Sequence, residues 1–91
     1  MVMNEKIKEL IQKIVGIAAE KSITTKSSVF ADFDGNVQSL TVRVYRNGWS
    51  RETCDIRPDH RLDVYISGVG VISELDTEVK LKAIHDLLLA L

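Results

Sequence analysis

Three features of this sequence predict an α+β domain with an antiparallel sheet. Helical 3.6-residue periodicity of apolar side chains stands at both ends of the chain. Between the ends lie short segments that alternate polar and apolar residues. The turn dipeptides Asp34-Gly35 and Asn47-Gly48 separate those segments. Together they predict a four-stranded antiparallel sheet with the N- and C-terminal helices packed on one face. The expected order is αββββα, in a single α+β domain over residues 1–91.

The first helix is expected over Asn4 to Ser22. Asn4 is placed to cap it, and Glu5 follows at the positive end of the helix dipole. Ile7, Leu10, Ile11, Ile14, Ile17 and Ala18 share one stripe, with Met3 projecting onto it, and Glu5, Glu9, Gln12 and Glu20 lie opposite. Gly16 falls on the polar face, where glycine costs about 1 kcal/mol relative to alanine. It reads as a tolerated surface glycine, with close approach of a partner as the alternative.

Strand one is expected over Ser27 to Phe33, with Val29, Ala31 and Phe33 on one face and Ser28, Phe30 and Asp32 on the other. Asp34-Gly35-Asn36 forms the next turn. Strand two, Val37 to Tyr45, puts Leu40, Val42 and Val44 inward and Thr41, Arg43 and Tyr45 outward. Asn47-Gly48 suits a type I′ hairpin, because both residues accept φ > 0. It leads to a third strand, Trp49 to Ile56, at the sheet edge. A two-residue turn there sets Arg43 opposite Glu52 but Arg51 opposite Val44; a longer turn or a bulge is the alternative register. After the loop Arg57-Pro58-Asp59-His60, strand four runs from Arg61 to Ser67 with Leu62, Val64 and Ile66 inward. The second helix covers Asp76 to Leu91, or starts a turn earlier near Ser73, with Leu81, Ile84, Leu87, Leu88 and Leu91 on its inner stripe. Leu89 projects away from that stripe.

Composition narrows the function classes. The apolar fraction is 45% and the charged fraction 27%, which is globular rather than disordered. The formal charge is −1 with a pI near 6.1. Phosphate neutralisation supplies most nucleic-acid affinity, so this balance argues against a nucleic-acid partner. A single cysteine, Cys54, rules out an internal disulfide and fits a reducing cytoplasm. Met1 to Leu10 carries charges and no apolar run, so neither export nor a membrane span is expected.

Catalytic and metal motifs are sparse. Cys54, His60 and His85 lack zinc-site spacing, so no metal and no cofactor are expected. Cys54 reads as structural; a thiolate activated by His60 would be the enzymatic alternative. Gly68-Val69-Gly70 with Ser73 resembles part of a dinucleotide fingerprint, but too little chain follows for a βαβ unit. The helix and strand order resembles the double-stranded-RNA-binding domain in topology. That family grips phosphates with a basic start to its last helix. The matching stretch here, Ser73-Glu74-Leu75-Asp76-Thr77-Glu78, is acidic.

The uncovered sheet face then becomes the candidate surface. Its expected occupants mix tyrosine, phenylalanine and arginine with short polar residues, a composition that suits interface hot spots. An ordinary solvated sheet face is the plain alternative. Phe30, Arg43, Tyr45, Trp49 and Tyr65 are the expected partner-binding residues. The expectation is a small cytoplasmic, non-enzymatic interaction module: a homodimer, an adaptor or an inhibitor of a larger protein, of the size common among phage accessory proteins. The alternatives are single-stranded nucleic-acid binding by Phe30, Tyr45 and Tyr65 with Arg43, Arg46 and Arg51, and a small Cys54-dependent enzyme.

Overall fold

The computed structural model describes residues 4–50, 52, 57–67, 71 and 73–91. Helix α1 (Glu5–Thr24) is followed by strands β1 (Ser28–Asp34), β2 (Ser39–Tyr45) and β3 (His60–Tyr65), then helix α2 (Glu74–Leu89). The strands form an antiparallel sheet in the order β1-β2-β3. The α+β class with two helices beside an antiparallel sheet is therefore as expected.

The strand expected over Trp49 to Ile56 is not among these three. Trp49, Ser50 and Glu52 are outside any strand, and the rest of that stretch lies outside the described residues. Two hydrogen bonds, one within the turn and one to a distant residue, redirect the chain after β2. The Gly48 N–H donates to the Tyr45 carbonyl (3.0 Å), so Arg46 and Asn47, rather than Asn47 and Gly48, occupy the centre of the turn. Of Asn47 and Gly48, Gly48 alone takes positive φ, at 85°. The Trp49 N–H then donates to Ser28 Oγ (3.0 Å), which ties the chain to the start of β1. The neighbour of β2 is consequently the strand expected fourth, and Arg43 faces Phe30 and Arg61 instead of Glu52.

Local chemistry sets the element ends. Asn4 Oδ1 accepts from the N–H groups of Lys6 (2.9 Å) and Ile7 (3.4 Å), which caps α1. Ser73 Oγ accepts from the Asp76 N–H (3.1 Å), so the earlier start of α2 is the observed one. Asp76 and Glu74 in the first turn suit the positive dipole end, and this is where the acidic stretch is used. Asn4 Nδ2 donates to Glu74 Oε2 (3.2 Å) and Lys21 Nζ to the Leu91 carbonyl (2.9 Å). These two contacts join like ends, so the helices run parallel.

One core joins all five elements. Ile7, Ile14 and Ala18 of α1 and Leu81, Ile84 and Leu88 of α2 meet Leu40, Val42 and Val44 of β2 and Val64 of β3. Val29, Ala31, Leu62 and Leu91 pack at its margin. Helix α1 lies over β1 and α2 over β3, and the helices touch each other above β2. The alternate residues of each strand, from Ser28, Phe30 and Asp32 to Arg61, Asp63 and Tyr65, therefore lie on the opposite face.

Candidate interaction surface

The register brings four of the five expected contact residues together on the outer face. Phe30 and Arg43 are direct cross-strand partners, and so are Ser28 and Tyr45. Phe30 meets Tyr45 edge to face at 5.7 Å between ring centroids, and meets Trp49 in the same manner at 6.1 Å. Pairs of this geometry contribute about 0.5–1.5 kcal/mol beyond area burial. The Arg43 guanidinium stands 4.8 Å over the Phe30 ring and ion-pairs with Asp32 at 3.2 Å. Phe30 is thus held on three sides by Tyr45, Trp49 and Arg43.

The members of this cluster differ in exposure. Tyr45 is buried at 9% and supports the others from beneath rather than offering surface. Trp49 is 43% exposed although its backbone is pinned to Ser28. Tyr65 is also exposed but does not join the cluster. It pairs with Ser39, six residues along β2 from Tyr45, a separation of roughly 20 Å at strand rise.

The centre of the outer face carries charge in matched pairs. Arg43 and Arg61 are direct cross-strand partners, an arrangement that is unfavourable for bare like charges. Each has a carboxylate at hand: Asp32 for Arg43, and Asp63 at 3.3 Å for Arg61. Thr41 Oγ1 also donates to Asp63 Oδ1 (2.6 Å). This hydrogen bond chiefly, with the Arg61 contact, holds the Asp63 carboxyl below its ordinary pKa, against a smaller opposing effect of burial. Toward the far end an open depression of about 580 Å³ is lined by Asp32, Phe33, Asp34, Gly35, Thr41, Arg43 and Arg61.

Sequence reasoning missed His60 and Asp59 as organisers of the β2–β3 connection. Asp59 Oδ2 accepts from the Arg46 N–H (2.7 Å), and Arg46 Nη2 lies 3.1 Å from His60 Nε2. Residues 49–56 separate this loop from the Asn47-Gly48 turn in sequence, so no local pattern signalled the contact. Cys54 and Arg51 lie outside the described residues. Among the described residues no cluster of three or more His, Cys, Asp or Glu could hold a metal ion. No described helix is long and apolar enough to cross a membrane.

No protein-family model, curated protein or solved structure matches this chain.

Proposed function

We propose that this chain is a non-enzymatic protein-interaction module, an adaptor or inhibitor of a larger protein that also pairs with itself, and that the Trp49 corner of the outer sheet face is its contact for a protein partner. One observation carries the reading. Phe30, Arg43 and Trp49 are fixed by mutual ring and cation–π contacts on a sheet face that neither helix covers. A preorganised aromatic–arginine group loses little conformational entropy on binding, which is why such groups dominate interface energetics. The carboxylates of Asp32 and Asp63 beside Arg43 and Arg61 weigh against a phosphate ligand.

The test uses a partner captured from the native lysate, purified, and titrated against the wild-type chain and three variants. Trp49→Ala and Arg43→Ala are expected to weaken binding by about tenfold or more, the range of a hot-spot truncation. Tyr65→Ala is expected to leave it near wild type, because that ring lies apart from the cluster. Equal affinity for wild type and Trp49→Ala would remove this surface from consideration.

A further inference from the structure

The two edges of the sheet are treated differently. On β1, Ser22 Oγ accepts from the Val29 N–H (2.8 Å) and donates to the Val29 carbonyl (3.3 Å), so helix α1 closes that edge at Val29, while the backbone groups of Ala31 and Phe33 face outward beyond it. Among the described residues β3 has no such cover, and its ladder partner is β2 alone. The Ser22 bonds also fix the phase of the ladder. Val29 points its backbone groups away from β2, so its partner Val44 points toward β3. The Asp59 N–H on the Val44 carbonyl and the Ile66 N–H on the Gln38 carbonyl, both 2.8 Å, agree with this. Leu62 and Val64 therefore bond to β2, while the N–H and C=O groups of Arg61, Asp63 and Tyr65 face out of the sheet. An open edge of this kind is a template for another strand unless it is blunted. Beside it a largely apolar groove of about 460 Å³ runs between β3 and α2, lined by Leu62, Val64, Ala83, Ile84 and Leu87 with Asp63 and Lys80 at its margin.

We propose that a second copy of this chain occupies the edge, with the two β3 strands antiparallel about a two-fold axis at Leu62 and Arg61 of each copy opposite Asp63 of the other. Symmetry and charge select this register. A two-fold antiparallel pair that joins the outward-facing residues can centre on Arg61, on Leu62, on Asp63 or on Val64. Centring on Arg61 or Asp63 puts like charges face to face, which is destabilising. Centring on Val64 overlaps little more than Asp63 to Tyr65 of this short strand. Centring on Leu62 makes the edge complementary to itself, with an Arg–Asp pair on each side of the axis and both N–H···O bonds exchanged within each pair. The same register joins the two Leu62 side chains and brings the apolar grooves together beneath them. The result is a continuous six-stranded sheet whose outer face carries two Trp49 corners. This deepens the interaction-module reading by naming a second copy as one partner. It uses a surface apart from Trp49, so the two can fail separately.

Sedimentation and light scattering across a dilution series test it. The expected result is a concentration-dependent species of about twice the 10.2 kDa chain mass. Arg61→Asp and Asp63→Arg each set like charges across the axis and are expected to weaken dimerisation by about tenfold or more. Mixing these two variants in equal amounts is expected to restore the dimer, because each single-signed edge then meets its opposite. Amide exchange at Arg61 and Asp63 in the wild type is expected to slow as concentration rises, a readout that needs no variant to fold. A wild type that stays monomeric overturns the proposal, as do single variants that dimerise normally or a mixture that fails to recover. Protection of these amides at every concentration in a monomer would put another segment of the same chain on the edge and overturn it too. Loss of the dimer in Trp49→Ala, with the charge variants unaffected, would move self-association to the outer face.

Discussion

Two glycines and one aspartate show how a single position acquires its meaning from its surroundings. A Cβ on Gly16 would meet nothing within 4 Å, and the residue sits exposed in the middle of α1. Gly16→Ala is therefore expected to stabilise the chain by about 0.5–1 kcal/mol through helix propensity alone. At Gly48 the same substitution meets positive φ and the Lys26 carbonyl at 3.0 Å, so it is expected to destabilise by about 1–2 kcal/mol. Denaturant midpoints of the two variants should move in opposite directions; movement in the same direction would contradict this assignment. Asp63 gives a pH signature. Its folded pKa lies below the ordinary value because Thr41, then Arg61, favour the ionised form. Its contribution to stability is complete above the usual aspartate pKa of about 3.9 and is lost as pH falls through the lower folded value. Asp63→Asn should thus be less stable than wild type at neutral pH, with the difference closing as the solution is acidified below about pH 4. A gap that is constant with pH would show that ionisation of Asp63 is not its source.

At the scale of elements, the helices and three strands were legible because each carries its own period and punctuation. Asn4 announces the first helix start, Ser73 was the alternative to Asp76 for the second, and the inward sets Leu40, Val42, Val44 and Leu62, Val64 follow from alternation. The segment after Tyr45 was not legible. Asn47-Gly48 satisfies a hairpin rule locally, but Ser28 Oγ and the Lys26 carbonyl, both distant in sequence, decide where the chain goes. Edge protection by Ser22 is equally invisible in sequence, since a serine near a helix end has many possible partners. Ser22→Ala is expected to cost about 0.5–1.5 kcal/mol, the usual net value of a hydrogen bond, and to speed amide exchange at Val29. Unchanged exchange there would mean that Ser22 does not close the β1 edge at Val29. Lys21 plays a comparable part for α2, whose last turn holds no basic residue. Its ammonium on the Leu91 carbonyl supplies the cation that the negative dipole end favours.

At the scale of the molecule, both helices use one side of the sheet, which leaves two surfaces with different chemistry. The outer face holds a fixed aromatic–arginine corner, and the β3 edge holds outward backbone groups above an apolar groove. If both readings hold, Trp49→Ala should lose the protein partner and keep the dimer, while Arg61→Asp should do the reverse. Native mass spectrometry of the two variants beside wild type separates these outcomes, and a shared loss would mean one surface serves both roles.

The sequence by itself determined the class of the fold, most of the inward set of each observed element and the makeup of the outer face, because period and capping are properties of neighbouring residues; Phe33, expected inward, is exposed, and Thr77 of α2 is buried outside the expected stripe. Only the tertiary structure decided which strand lies beside β2, that Trp49 gathers with Phe30, Tyr45 and Arg43 while Tyr65 stands apart, and that β3 lies at an edge uncovered among the described residues. Those outcomes depend on hydrogen bonds and packing between residues far apart in the chain, such as Trp49 with Ser28, and no local pattern encodes which distant partner will be met.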